Sequence, residues 1–449
     1  MDLKKYREAL NQLPEGVKAA EVYAAEGESF SVRIREGEIE TYSVANAFGL
    51  SLRADCGKMG YAYTETEDDP DRLRKLAMEN AACVESKDDQ ELYPGAEQYP
   101  DAPAVDERLK RASAAQKIAL AKELERRMLA HDSRIRKLQT CALSTGTNRS
   151  AILNSLGLDL SQTSGMAMAY CMPIAEVDGT VKNGQGWRAA SCLEELDLDG
   201  IVKDAAEDLF SQFGAQPVET GEYKILLKNS AMCDLLDSFE SMFSADAAQK
   251  GLSLLAGREG ETVASPLVTI VDDPMAKNAL CRSAFDDEGV PGEATTVVEK
   301  GVLKSLLHNL KTARKAGCRT TGNASKAGAA SPVGVAASNF FICPGEGTRD
   351  ELLEQMGEGL YITGVSGLHA GCNPVSGSFS LLARGFLVEG GRMIRPVEQI
   401  TLSGLFLDLL QKVERVGGDF AFDMPGGSTF GSPSLLIGKL PSFIFKPMS

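Results

Sequence analysis

Two polar, proline-containing breaks in the hydrophobic pattern constrain the fold of this sequence most, because they divide it into three parts. The first break, residues 86–105, is acidic and contains three prolines, which is typical of an exposed connector. The second break lies around residues 216–222 and precedes a strand-like segment. A chain of 449 residues also exceeds what one hydrophobic core usually holds. We therefore predict three units: residues 1–105, 106–217 and 218–449.

The hydrophobic periodicity changes between the first two units and the third. Before the second break, strand-like segments such as the one from Phe30 to Ile34 are interspersed with amphipathic helices, including one predicted from Ser113 to His131. After it, β-branched runs separated by glycine dominate, and most helices are predicted to be short. We predict an α+β fold, in which an N-terminal α/β region of sheet-and-helix units precedes a C-terminal domain with a large curved, mainly antiparallel β-sheet.

Charge and composition disfavour several classes of function. The net charge is −16 and the few basic runs have acidic neighbours, so direct binding to nucleic acid is not expected. No segment approaches the roughly 18 apolar residues of a membrane helix, and the N-terminus lacks the apolar core of a signal peptide. We therefore expect a cytoplasmic protein with no membrane association. Its ten cysteines lack the paired spacing of a structural zinc site and fit reduced, mostly buried thiols.

Common catalytic motifs are incomplete in this sequence. The serine-nucleophile pattern G-x-S-x-G fails at its last position in residues 364–368, and phosphate-binding glycine loops are absent. His369 and Cys372 could supply a nucleophile and a base, or half of a metal site. Glycine and proline around them indicate a loop, and no second histidine or paired cysteine lies nearby. The alternative interpretation is a structural loop in which His369 forms hydrogen bonds.

A second group of candidates is acidic and consists of Asp272 and Asp273, followed by Asp286, Asp287 and Glu288. Several carboxylate oxygens together could bind a hard cation or the amine of a substrate. The same residue types also occur in ordinary turns, where aspartate accepts nearby backbone N–H groups and glycine adopts a positive φ. The sequence favours turns and leaves a binding site open as the alternative.

Six further segments occur in a fixed order along the chain. The longest is residues 364–377, GVSGLHAGCNPVSG. The others are residues 154–157, 269–274, 285–291, 396–401 and 431–435. Each segment alone is weakly specific. Together, in order and spacing, they resemble the TldD/PmbA family, often called modulators of DNA gyrase, and in particular its TldE/PmbA-like branch.

The resemblance also indicates which catalytic residues are missing. TldD-type chains carry His-Glu, three residues and then His on a helix, together with a cysteine in a late glycine-rich loop, as the zinc ligands and the base. Here a helix predicted over residues 229–250 places Asp237, Ser238 and Met242 at those slots. Methionine is a poor zinc ligand, and no cysteine follows Cys372. The resemblance therefore implies no catalytic residue and no metal in this chain, with zinc held by a TldD-like partner.

The function that the resemblance implies is a non-catalytic partner subunit of a TldD/TldE-type zinc metallopeptidase, which acts on flexible peptides in proteolysis and peptide maturation. Such a chain would form a heterodimer with a TldD-like subunit, or a homodimer alone. Candidates for substrate-binding or structural roles are Asp286, Asp287, Glu288, His369, Asn373 and Ser376. Two alternatives stay open: a metallopeptidase-family hydrolase active in its own right, through residues such as Asp237 and Glu240, and a binding protein that modulates gyrase.

Overall fold

The computed structural model describes residues 1–66, 69–85, 90–425 and 428–444 of the chain. Helices and several largely antiparallel sheets occur through these residues, which confirms the predicted α+β class. Residues 86–89 of the predicted connector lie outside the described part. Every helix in the described part falls short of the length and apolarity that a membrane crossing requires.

One antiparallel sheet extends through both units predicted before residue 217. Its strands are β1 (Ala19–Arg35), β2 (Glu38–Asp55), β3 (Met59–Thr64), β4 (Ile135–Asn154), β5 (Asp159–Val177), β6 (Thr180–Asn183) and β7 (Gly186–Ala190). Within the described residues their order is β3-β2-β1-β4-β5-β6, with β7 paired to β5. The pairing of β1 with β4 runs from Glu21–Asn154 to Arg33–Ala142, so strands from both predicted units lie side by side.

Helices pack on this N-terminal sheet. In chain order they are α1 (Lys4–Leu10), α2 (Pro70–Ala82), α3 (Glu107–Arg111), α4 (Ala114–His131) and α5 (Leu198–Phe210). The predicted start of α4 is confirmed, because the Ser113 Oγ accepts the Gln116 N–H at 3.3 Å in a capping box. Leu124 and Met128 of α4 are fully buried and belong to the same hydrophobic cluster as strand residues such as Val32. This apolar stripe holds the helix against the sheet.

The C-terminal part is built on a closed ring of strands and a second, open sheet. Its strands are β8 (Gly221–Leu227), β9 (Ile270–Asp272), β10 (Thr295–Glu299), β11 (Val302–Leu303), β12 (Ala324–Ser325), β13 (Gly334–Val335), β14 (Asn339–Ile342), β15 (Gly359–Ser366), β16 (Cys372–Asn373), β17 (Ser378–Glu389), β18 (Arg392–Leu405), β19 (Val413–Val416), β20 (Ala421–Asp423), β21 (Thr429–Ser432) and β22 (Leu435–Ile444).

The ring confirms the predicted curved, mainly antiparallel sheet. Among the described residues, β15, β8, β22, β18 and β17 follow one another, and β15 pairs again with β17. Neighbouring strands in this ring are antiparallel except for β8 and β15. The second sheet has the order β11-β10-β9-β14-β21-β20. Together the two sheets enclose the largest hydrophobic cluster of the C-terminal part.

The helix predicted over residues 229–250 is broken in the structure, so this prediction was wrong. The segment forms α6 (Asn229–Phe239), a 3-10 turn (Glu240–Phe243) and α7 (Ala245–Gln249). Ser244 is extended, and the Ala245 N–H donates to the Leu307 carbonyl at 2.9 Å instead of to a helical partner. Bonding to a neighbouring segment therefore overrides local helix propensity.

Helix α6 lies between the ring and the second sheet, where it contacts β15 and β16 on one side and β20 and β21 on the other. Its Phe239 stacks on Phe406 with ring centroids 4.6 Å apart, inside the hydrophobic cluster. The remaining helices are α8 (Leu310–Ala316), α9 (Arg349–Met356), α10 (Leu368–Gly371) and α11 (Phe406–Gln411). The packed core therefore fixes the position of α6.

Candidate functional site

The slots that a TldD-type chain uses for zinc lie on α6 and on the 3-10 turn that follows it. Asp237 and Ser238 are half-buried near the end of α6. Met242 lies on the 3-10 turn and is completely buried in the hydrophobic cluster of the C-terminal part. The structure therefore separates the third slot from the first two, because the α-helix ends at Phe239.

The loop that contains His369 and Cys372 lies against these slots. His369 is exposed on α10, and Cys372 is the first residue of β16. Burial raises the pKa of Asp237, and the charge of His369 opposes this effect. Burial also raises the pKa of the Cys372 thiol, and a hydrogen bond with Ser238 acts in the opposite direction. The structure thus brings together two groups of candidates that are far apart in the sequence.

Further carboxyl groups lie on α6 and around it. Burial raises the pKa of Asp234 to about 7, and the negative charge of Asp423 on β20 adds to this effect. Burial likewise raises the pKa of Glu240 to about 7, even though its carboxylate accepts the Ala337 N–H at 2.7 Å. Sequence reasoning missed Asp234 and Asp423. The spacing of Asp234 and Asp237, one helical turn apart, was an available signal, whereas nothing in the sequence connects either residue to β20.

These side chains do not fit a zinc site of the TldD type. The two slots on α6 hold one carboxylate and one hydroxyl, and the slot on the 3-10 turn holds a buried thioether, which together are a poor donor set for zinc. In the part of the chain that the structure describes, three candidate metal-ligating atoms lie within 4.8 Å of one another only at Asp106, Cys192 and Glu195. There Arg108 already forms ion pairs with both carboxylates. The donor set at these slots therefore does not support a metal-dependent catalytic step.

The acidic candidates Asp286, Asp287 and Glu288 lie at a different place, between the N-terminal sheet and the C-terminal part. The Asp286 carboxylate accepts the backbone N–H groups of Glu288, Val290 and Ala324, each at 2.9 Å. Burial, reinforced by Glu288, raises the pKa of Asp286 far above its usual range. This bonding pattern is that of a turn, the alternative that the sequence favoured.

Arg53 on β2 connects this turn to the N-terminal sheet. Its buried guanidinium lies between two carboxylates, with Nε 2.9 Å from Oε1 of Glu21 and Nη1 3.4 Å from Oε1 of Glu288. Nearby, the Lys326 Nζ donates to the Ser51 Oγ of β2 at 2.8 Å, and its backbone N–H donates to Asp287 at 2.7 Å. These contacts link the two parts of the molecule, which favours a structural role for the acidic turn.

Asn373 is the last residue of β16, and Ser376 lies on the exposed loop between β16 and β17. The Asn373 Oδ1 accepts the N–H groups of Val375 and Ser376 at 3.0 and 3.1 Å, which closes a tight turn. The hydroxyls of Ser376 and Ser378 are 2.8 Å apart. Both candidates therefore shape the loop that follows Cys372 beside α6.

A cavity of about 560 Å³ opens between the ring and the N-terminal sheet. Ser366, which lies three residues before His369, forms part of its lining. Gln399 also lines it and has a φ of 56°, a strained conformation for a residue other than glycine. Arg384 and Asp208, 2.9 Å apart, form an ion pair at its edge between the two parts of the molecule. The cavity thus reaches the end of β15, directly before the loop that contains His369.

Three family models match this chain along most of its length. They describe domain 1, the central domain and the C-terminal domain of the PmbA/TldA metallopeptidases, and they match residues 20–82, 107–212 and 220–441. A metalloprotease of Methanothermobacter thermautotrophicus is 28% identical over 424 residues, which cover 92% of this chain and 90% of that protein. The metalloprotease PmbA homolog of Haemophilus influenzae is 27% identical over 72% of this chain and 68% of that protein.

Solved structures share the fold over nearly the whole chain. A Thermotoga maritima protein named as a modulator of a DNA gyrase has a TM-score of 0.88 and 35% identity, covering 95% of this chain and 96% of that one. TldE of Thermococcus kodakarensis has a TM-score of 0.87 at 22% identity, covering 96% and 97%, and at that identity shows the fold alone. The family models match all three parts of the chain, and the Thermotoga maritima protein is 35% identical over nearly its full length. This chain therefore belongs to the PmbA/TldD family of metallopeptidase-like proteins.

Proposed function

We propose that this chain is a partner subunit that does not hydrolyse peptides itself. The observation that supports this most directly is Met242, a fully buried thioether where the motif of TldD-type chains has a histidine. Asp237 and Ser238 occupy the other slots and supply neither the second histidine nor the base. Relatives named TldD homologs and a structural neighbour named TldE favour a heterodimer, in which a TldD-like subunit holds zinc. Alone, the chain would form a homodimer.

The contribution of this chain would be the binding of an extended peptide. Among the described residues, β20 is at the edge of the second sheet, and it ends at Asp423. A flexible peptide can add to such an edge through main-chain hydrogen bonds. Burial raises the carboxyl pKa values of Asp423, Asp234 and Asp237, and a cationic group of the peptide would favour their ionised form, which selects a free amino terminus or a basic side chain. We place this activity in proteolysis and peptide maturation, in the cytoplasm.

Peptide binding can be measured by fluorescence anisotropy with an unstructured peptide, in a form with a free amino terminus and in an acetylated form. We expect the free form to bind more tightly, and Asp423→Asn to remove most of that difference. Asp246→Asn, which changes a half-buried acid on α7 that is paired with Lys250, is the matched control. Equal affinity of both peptide forms for the unsubstituted chain would contradict the peptide-binding role.

Assembly tests the partner role separately. We expect the chain to co-elute in size exclusion with a TldD-like chain that carries the His-Glu-xxx-His motif, and the complex to cleave peptides. Asp237→Ala and His369→Ala in this chain should leave the activity of the complex unchanged, within about twofold. A complex that forms but loses its activity with Asp237→Ala would mean that this chain supplies a catalytic group.

A second candidate function is peptide hydrolysis by this chain alone. Two carboxyl groups favour it, those of Asp234 and Glu240. Burial raises the pKa of each of them to about 7. Such groups can exchange protons near neutral pH and act as a general acid and a general base. This candidate predicts cleavage by the purified single chain and its loss in Glu240→Gln.

A further inference from the structure

A separate cavity of about 470 Å³ lies beside α7 and α8, and the proposed function makes no use of it. Three side chains with the chemistry of metal ligands line it: His308, Cys318 and Glu259. His308 directly precedes the N-cap of α8, and Cys318 directly follows Gly317, which ends that helix. The short helix therefore brings an imidazole and a thiol together at one cavity wall.

The thiol and the imidazole are close enough to share one ion. The Cys318 Sγ is 3.8 Å from the His308 Nε2. A tetrahedral zinc ion bound by a thiolate at about 2.3 Å and by an imidazole at about 2.0 Å holds these two atoms roughly 3.5 Å apart. A small rotation of either side chain would therefore bring both atoms to ligand distance.

His308 is held in place by its backbone and leaves a ring nitrogen without a partner. Its side chain is buried, with the residue only 5% exposed. Its N–H donates to the Thr321 Oγ1 at 2.6 Å, and its carbonyl accepts the Asn323 N–H at 3.2 Å. The buried Nδ1 has no hydrogen-bond partner among the described residues. An ion bound at Nε2 would fix the tautomer of the imidazole that carries its proton on Nδ1.

Cys318 is fixed by the end of α8 but stays accessible. Gly317 adopts a left-handed conformation with a φ of 67°, and the Cys318 N–H then donates to the Ala313 carbonyl at 3.0 Å. The residue is exposed, so an ion can reach the thiol from solvent. Glu259, also exposed, lines the same cavity and can change rotamer to approach a bound cation.

The electrostatics of the cavity favour a cation over a nucleophilic thiolate. Burial lowers the pKa of His308, which keeps the imidazole neutral near pH 7. Burial and the charge of Glu259 raise the pKa of the Cys318 thiol, which keeps it protonated. A thiolate–imidazolium pair is therefore disfavoured, whereas a divalent cation would displace the thiol proton and balance Glu259. Lys304 also lines the cavity, and its Nζ forms an ion pair with the Glu299 carboxylate at 3.5 Å.

We propose that Cys318 and His308, with Glu259 as an additional oxygen ligand, form a binding site for one thiophilic divalent cation of the zinc class. Binding releases the thiol proton to solvent and joins Sγ and Nε2 to the same ion. The site joins the two ends of α8 to the segment that contains Glu259. It is distinct from the slots on α6, and its occupancy does not depend on peptide hydrolysis.

Titration of the full-length, reduced, chelator-treated chain with Co²⁺ tests this proposal, since cobalt bound to a thiolate gives a charge-transfer absorption in the near ultraviolet. We expect one Co²⁺ per chain with this absorption, displaced by Zn²⁺. Cys318→Ser should abolish the absorption and weaken binding by roughly tenfold or more. Cys83→Ser, at another exposed cysteine, and Cys372→Ser, at the thiol beside α6, should leave both unchanged.

Alkylation provides a second measurement, which is made on the unsubstituted chain and requires no replacement of the buried His308. Zn²⁺ should slow the reaction of Cys318 with iodoacetamide in the unsubstituted chain and leave the reaction of Cys83 unaffected. The proposal would be overturned if the unsubstituted chain shows no thiolate absorption, if the absorption persists in Cys318→Ser, or if it disappears in Cys372→Ser instead.

Discussion

The turn at Asp286 and the site on α6 both bury carboxyl groups, yet the two regions give those groups very different partners. Asp286 accepts three backbone N–H groups at 2.9 Å, and the adjacent Glu288 pairs with the buried Arg53. On α6, no described residue donates a hydrogen bond to the carboxyl group of Asp234 or Asp237, and each is influenced by burial and by neighbouring charges.

In both regions burial raises the carboxyl pKa values, so a raised pKa alone does not separate a structural cluster from a binding site. The two kinds of region differ in the number of hydrogen bonds that the carboxylate oxygens already accept. A carboxylate with filled acceptors stabilises the fold, whereas one with open acceptors remains available to a ligand. The following predictions test this distinction, starting with the largest expected effect.

Removal of Arg53 should have the largest effect, because it leaves the carboxylates of Glu21 and Glu288 buried without their cation. We expect Arg53→Ala to lower the free energy of unfolding by about 3–5 kcal/mol, measured by urea titration. Arg258→Ala, which breaks a partly exposed pair with Glu261, is the matched control and should cost about 0–1 kcal/mol. Similar losses for both variants would contradict the structural role of the buried network.

Asp286→Ala should come next, because three buried N–H groups lose their acceptor. Each unsatisfied buried donor costs about 1–3 kcal/mol, and partial relaxation of the turn reduces the sum. We therefore expect the free energy of unfolding to fall by roughly 3 kcal/mol. Asp237→Ala on α6 should change the free energy of unfolding by no more than about 0.5 kcal/mol. If Asp237→Ala destabilised the chain as much as Asp286→Ala, the two regions would not differ in the way we describe.

The pH dependence of stability should include a contribution from Asp234 on α6 and from Glu240 on the 3-10 turn that follows it. Because the folded-state pKa values of Asp234 and Glu240 are raised to about 7, the folded chain binds more protons than the unfolded chain between pH 4 and 7. Stability should therefore fall as pH rises through this window. The free energy of unfolding should be measured at about pH 5 and at about pH 8. Asp234→Asn should reduce the difference between the two values by on the order of 1 kcal/mol. An unchanged slope in this variant would show that Asp234 titrates normally.

The smallest effect is expected for His369→Ala, which changes an exposed residue. Stability should change by less than about 0.5 kcal/mol. Because the charge of His369 lowers the pKa of Asp237, its removal should raise that pKa, which can be followed by carbon-detected NMR of the carboxyl group. An unaltered Asp237 titration would mean that the α10 loop does not lie against α6 in solution.

The predictable parts of the molecule are those set by local sequence. The capping box of Ser113 and Gln116 marks the start of α4, since both partners lie within one helical turn. The mainly antiparallel character of the C-terminal part follows from its short β-branched runs, although the closure of five strands into a ring depends on pairings between distant strands. The break after α6 escapes prediction because its cause is the contact of Ala245 with Leu307.

The candidate site divides in the same way. The absence of the zinc motif at Asp237 and Met242 is visible in the sequence, because it needs only residues on one segment. The approach of Asp423 to Asp234, and of Arg53 to Glu288, depends on chain segments that meet only in the folded protein. Hydrophobic packing fixes these meetings, and no local pattern encodes them.

The most direct test of the central claim is peptide hydrolysis by the purified chain, measured with excess Zn²⁺ and an unstructured peptide, first alone and then after mixing with a TldD-like chain that carries the His-Glu-xxx-His motif. We expect no cleavage by the chain alone and cleavage by the mixture. Cleavage by the chain alone, abolished by Glu240→Gln, would contradict the claim and identify the Glu240 carboxyl group as catalytic.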